Sequence, residues 1–173
     1  MTEVVGIIGN RGAGKTCLLT SLLYIDSQLG NKIICNYSVK FPATYMTFSQ
    51  VADLPESLKG ATLGFDELGI GADSREFFSK RNSKIAKLIT QIRKRKCLMY
   101  YTVQRLNLID KRVRQQTDKY ILMEKTPVNG IFILRLLEGW NLEMTAKSTF
   151  DGRKFFDMYD TNEIIELEED NDD

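Results

Sequence analysis

Eight consecutive residues, Gly9-Asn10-Arg11-Gly12-Ala13-Gly14-Lys15-Thr16, have the types and spacing of a phosphate cradle, G-x-x-x-x-G-K-[ST]. The glycines let the backbone curl so that successive N–H groups converge on phosphate oxygens, and a helix opening at the end of the loop adds partial positive charge. Gly9, Asn10, Arg11, Gly12, Ala13, Gly14, Lys15, Thr16 and Cys17 are therefore the expected binding set for ATP. Lys15 is expected to reach the β and γ phosphates, and the Thr16 hydroxyl to ligate Mg²⁺ between them.

A second acid-bearing segment completes that chemistry. Leu63-Gly64-Phe65 runs apolar into Asp66-Glu67, and acids at a strand's C-terminal end lie where ligands sit in open α/β sheets. Asp66 suits the Mg²⁺ shell. Glu67 is placed to polarise an attacking water as the general base. Asp66-Glu67-Leu68-Gly69 also fits the D-x-x-G spacing of GTPases, but no N-K-x-D follows a later strand, where Val103-Gln104-Arg105 stands instead. Small-molecule kinases are a further rival, and the Glu after the strand-end Asp favours hydrolysis over transfer to an acceptor. Gln104 is an uncharged amide able to sense the γ-phosphate or orient water.

The elements that must position these residues follow from hydrophobic patterning. Val4 to Ile8 reads as a strand, and Leu18, Leu19, Leu22 and Leu23 as a helix closed by Gly30. Further strands are expected at Ile33 to Cys35, Ala61 to Phe65, Cys97 to Val103 and Tyr120 to Met123. Ile85, Leu88, Ile89 and Ile92 form a helical stripe between the third and fourth. Such alternation implies a mostly parallel sheet covered on both faces. Pro127-Val128-Asn129-Gly130 turns the chain into Ile131 to Leu137, adding antiparallel strands at one edge.

Composition narrows the possibilities. The 173 residues are 43% hydrophobic and contain no histidine, which removes Ser-His, Cys-His and His-ligated metal chemistry. Cys17, Cys35 and Cys97 each fall in an apolar segment and read as reduced core thiols. No stretch approaches the roughly 20 apolar residues of a membrane span, and no signal peptide opens the chain, so a cytoplasmic protein without membrane insertion is expected. One domain is expected over residues 1–162.

Charge is segregated. Eight basic residues and no acid lie between Lys80 and Lys96, while residues 163–173 carry seven acids and no base, as a disordered tail would. Lys80, Lys84, Lys87, Gln91 and Lys94 make a helical stripe that could follow a phosphate backbone or could be an ordinary solvated face. Arg93, Arg95, Arg112 and Arg114 are candidates for an arginine reaching a neighbouring subunit's ATP.

Taken together, GNRGAGKT, FDELG, DSREFFSKRNSKIAKLITQIRKRK, YYTVQRLNLIDKRVRQQTD and MYDT resemble the FtsK/HerA-type ATPases. Within them the chain is similar to archaeal-virus genome-packaging ATPases and, more distantly, to Zot-type phage assembly ATPases. The specific features are Gln91-x-Arg93-Lys94, the strand-end Gln104, Asp110-x-Arg112-x-Arg114 and Tyr159-Asp160-Thr161. The resemblance implies a three-layer, RecA-like (ASCE) α/β core, a hexameric ring, and ATP-driven movement of double-stranded DNA into a capsid, with a capsid or portal-like protein as a further partner. It implies Arg75, Arg93 and Arg112 as positions acting in trans. Neither the DNA-tracking domain of cellular pumps nor the membrane segment of Zot-type proteins is evident, which favours a compact packaging motor working in the host cytoplasm and associated with the virion. Alternatives are an extrusion ATPase acting on protein partners and a non-motor nucleotide switch.

Overall fold

A computed structural model describes residues 2–47, 50–51, 59–68, 88–109, 111–138 and 141–160. Arg75, Lys80, Arg81, Lys84, Ile85, Lys87, Asp110, Thr161 and the acidic residues 163–173 lie outside the described residues.

The strand β1 (Glu3–Ile8) occupies the middle of the sheet because both its faces are covered: Val4 and Ile7 are fully buried and Val5 and Ile8 nearly so. Such two-sided burial is what a β-branched run without polar alternation predicts. A loop then leads into helix α1 (Lys15–Gln28), whose Leu18, Leu19 and Leu23 are buried against the sheet. The helix ends as expected at Gly30, whose left-handed backbone (φ 84°) lets its N–H return to the Ser27 carbonyl at 3.0 Å.

The strands β2 (Ile33–Cys35), β3 (Thr44–Tyr45), β4 (Thr62–Phe65) and β5 (Leu98–Val103) precede β6 (Lys119–Lys125), β7 (Ile131–Glu138) and β8 (Glu143–Asp151). Eight strands pair in the order β3-β2-β4-β5-β1-β6-β7-β8. The pairs from β3 to β6 are parallel, while β6–β7 and β7–β8 are antiparallel. The expected parallel sheet with antiparallel edge strands is therefore present.

The other face is covered by helical residues 88–94, here α2, and by α3 (Lys111–Gln116). Leu88, Ile89, Ile92 and Val113 carry the burial. Pairing of β5 begins at Leu98 and not at Cys97, because the Cys97 N–H closes α2 on the Ile92 carbonyl at 3.1 Å. One position departs from the expected cationic stripe: Lys94 is exposed, but the side-chain oxygen of Gln91 is buried, so there the stripe turns inward. Cys17, Cys35 and Cys97 are all buried, as expected of core thiols. No helix among the described residues is long and apolar enough to cross a membrane.

Candidate nucleotide site

The loop between β1 and α1 turns on Gly12 (φ 72°) and Gly14 (φ 81°), both in the left-handed region that glycine adopts without strain. Gly14 is the N-cap of α1, makes no side-chain cap bond, and is followed by no acid in the first turn. The opening amides of that turn precede the first helical bond, Leu18 N–H to the Gly14 carbonyl at 2.9 Å. A helix start left uncapped by its own sequence is suited to an anion.

Outer strands wall the loop. A Cβ on Gly9 would lie 2.7 Å from the Met123 carbonyl, one on Gly12 2.7 Å from the Lys125 ammonium, and one on Gly14 2.6 Å from the Phe132 ring. Close packing from β6 and β7 thus demands glycine at positions 9 and 14, and backbone conformation demands it at 12 and 14.

Lys15 is only 8% exposed, and its ammonium donates to the Asn10 carbonyl at 3.1 Å. Burial lowers its pKa, opposed by the nearby Asp66 and Glu67 carboxylates. The Thr16 hydroxyl donates to Asp66 Oδ2 at 2.8 Å, across 50 residues of sequence. The side chain of Cys17 is fully buried, with its thiol on the Gly152 carbonyl at 3.3 Å, which leaves its main-chain amide as the group able to face a phosphate. Burial pushes that thiol up to about 11.

Asp66 sits just past β4 and is held from two sides that local sequence did not reveal. The Asn36 amide pairs with its main chain, donating to the Asp66 carbonyl at 3.1 Å and accepting the Asp66 N–H at 2.8 Å. The Thr102 hydroxyl of β5 bonds its carboxylate and also accepts the Glu67 N–H. Burial raises the Asp66 pKa against the opposing pull of Thr102, Thr16 and Lys15. Glu67 has a left-handed backbone (φ 55°), uncommon for a residue with a side chain, and two hydrogen bonds enforce it: its own N–H to Thr102 and the Leu68 N–H to the Thr102 carbonyl at 3.0 Å. Burial and the Asp66 charge raise the Glu67 pKa, opposed by Lys15 and Arg11.

β5 lies between β1 and β4, so its C-terminal end brings Gln104 to the same rim as the cradle and the acids. β5 thus lies directly beside the strand that leads into Asp66. No known family model and no curated protein sequence matches the chain. Solved structures do. The N-terminal domain of zonular occludens toxin from Neisseria meningitidis superposes with a TM-score of 0.67 at 16% identity, covering 92% of this chain and 100% of that one. The genome-packaging NTPase B204 of Sulfolobus turreted icosahedral virus 2, in complex with ATP-gammaS, gives 0.58 at 10% identity, covering 86% and 96%. The RadB recombinase gives 0.62 at 13% identity, covering 87% of each chain. The fold is that of the RecA-like P-loop NTPases.

Within this RecA-like frame Arg93 separates from the cradle. Arg93 bonds Asp118 Oδ1 at 2.6 Å and the Gln116 carbonyl at 3.2 Å, and Asp118 in turn accepts the Val4 N–H at the start of β1. The cradle begins at the other end of β1, about 15–20 Å away at a strand's rise per residue. Arg93 therefore stands far from the loop of its own chain. Arg112 lies exposed on α3. Asn36 and Thr102, which hold Asp66, and Lys125, beside Gly12, adjoin the candidate site without any local motif to mark them.

Proposed function

We propose that the chain is an ATP hydrolase that works on double-stranded DNA as a ring, hexameric by resemblance, and packages a viral genome into a capsid. The observation that carries the hydrolase reading is the convergence of Lys15, Thr16, Asp66 and Glu67 on one open, uncapped helix start. Lys15 would bind the β and γ phosphates, the amides of Gly9 to Cys17 would hold the chain of phosphates, and Glu67 would take the proton of the attacking water. Gln104 would orient that water.

Thr16 and Asp66 fit Mg²⁺: a hydroxyl and a carboxylate, both hard oxygen donors, meet at 2.8 Å, and Mg²⁺ needs only one or two such protein ligands when phosphates supply others. When bound, Mg²⁺ would neutralise charge that develops on the phosphates. Residues 1–162 would form the working domain and 163–173 an acidic tail, in the cytoplasm of a host cell.

The DNA reading draws support from the likeness to a genome-packaging NTPase and from the acid-free basic run between Lys80 and Lys96. The arginine supplied in trans would be Arg75, Arg93 or Arg112. A second reading is favoured by the fit over the whole zonular occludens toxin domain: an extrusion ATPase whose partners are proteins. Turnover measured with and without duplex DNA separates the two. A packaging motor should speed up with DNA, and the gain should fade as salt rises; a rate indifferent to DNA but raised by a coat or membrane protein would replace this reading with the second. Loss of Mg-nucleotide binding in Lys15→Ala is the check on the hydrolase itself, and full turnover in that variant would remove it.

A further inference from the structure

The cradle and the acids account for a triphosphate and its cation, and leave the nucleoside end of the ligand without a named contact. Gly152-Arg153 borders the cradle at Cys17, where the phosphate-binding set ends. Cys17, which follows Thr16, places its thiol on the Gly152 carbonyl, and a Cβ on Gly152 would lie 2.7 Å from that sulfur. Arg153 is thus one residue beyond a direct contact with the first turn of α1.

Its guanidinium is fixed. Nε and Nη2 donate to the two oxygens of Asp151, at 2.9 and 2.5 Å, and the Arg153 main-chain N–H donates to the same carboxylate at 3.1 Å. This fork-on-fork pairing sets the plane of the group, while 60% of the side chain stays exposed. An exposed ion pair contributes little to folding, so stability alone gives no reason to hold it so rigidly. The β6–β7 turn closes over its stem: Gly130 (φ 80°) accepts the Gly152 N–H at 2.8 Å, and a Cβ there would lie 2.5 Å from Arg153 Cγ. A planar cation, pinned at its edge by a carboxylate, largely exposed and one residue from the chain that touches Cys17, matches what the flat face of a nucleobase needs.

We propose that Arg153 is the stacking platform for the base of the bound nucleotide, held flat by Asp151. The inference rests on the nucleotide reading above. Stacking reads a face that every base has, so ATP and GTP should bind within a few-fold of each other.

The test compares MgATP with Mg-tripolyphosphate, which has no base, by calorimetry on the full chain. Arg153→Ala and Arg153→Lys should each weaken MgATP by about tenfold and leave tripolyphosphate unchanged. Asp151→Asn, which frees the guanidinium without removing it, should give a smaller loss confined to MgATP. Unaltered MgATP binding in Arg153→Ala overturns the proposal, and so does full binding in Arg153→Lys, since charge would then suffice. An equal loss for both ligands also overturns it, by making Arg153 a phosphate contact. Failure of the nucleotide reading looks different: tripolyphosphate binding that survives Lys15→Ala would discard the cradle and this platform with it. Unshifted thermal melts of the variants guard against misfolding.

Discussion

Thr102 donates its hydroxyl proton to Asp66 Oδ1 at 2.5 Å, and the Thr102 hydroxyl oxygen accepts the Glu67 N–H at 2.8 Å. One fully buried side chain on β5 therefore orients both acids of the site. Thr102→Val keeps the volume and deletes the bonds. Turnover should fall by about 10–100-fold, the usual effect of losing a residue that orients a metal ligand, and a higher Mg²⁺ concentration should be needed for half-maximal rate. Thr102→Ser should restore both, whereas a packing role alone would be spared by Val and not by Ser.

Glu67 is predicted to be the base. Glu67→Gln should retain nucleotide and lose turnover by about 10²–10⁴-fold. Its pKa is raised, chiefly by burial, and only the ionised form accepts a proton, so the acid limb of kcat/KM should lie above the ordinary glutamate range. Arg11 opposes that rise; Arg11→Ala should push the limb to still higher pH. A limb that moves down, or stays put, would detach Arg11 from the base.

Asp66 makes the ligand-free protein less stable than it could be. Its folded pKa is above the unfolded one because burial penalises the charge. Between those two values the folded state holds more protons, so stability falls as pH climbs through that window and stays low above it. Asp66→Asn should raise the melting temperature of the ligand-free protein at pH 8, and the gain should shrink toward pH 4. Scanning calorimetry in EDTA at several pH values reads this directly; equal melting of the two proteins at pH 8 would contradict it.

Gly64 lies in β4 where Leu23 of α1 packs straight onto the backbone, leaving no room for a Cβ. Gly64→Ala should cost about 1–3 kcal/mol by overpacking, read as a lower denaturation midpoint. Gly30→Ala differs in cause, since open space surrounds that position and only the left-handed backbone opposes the change.

How far these features could be read in advance depended on range. Gly9 to Thr16 and Asp66-Glu67 are contiguous, so their chemistry is written in local spacing, and β1 and α1 announce themselves by burial period. Asn36 and Thr102 lie 30 and 36 residues from Asp66; nothing local marks either until strand register brings them together. The helical period puts Gln91 on the exposed face, because a period assigns faces without knowing what packs beside them. The span of the second antiparallel strand, β8, is unmarked in the sequence for another reason. Its residues are exposed except for Phe150, so it lacks the apolar alternation that reveals strands with one buried face.

The ring of Phe132 rests where a side chain at position 14 would have to go. The phosphate loop is consequently braced by a paired ribbon and not only by its own turns, and its shape is settled when the sheet forms. Phosphates arriving at such a rim meet a finished mould, so their capture should be governed by diffusion and by charge, with no wait for the phosphate loop itself to take shape.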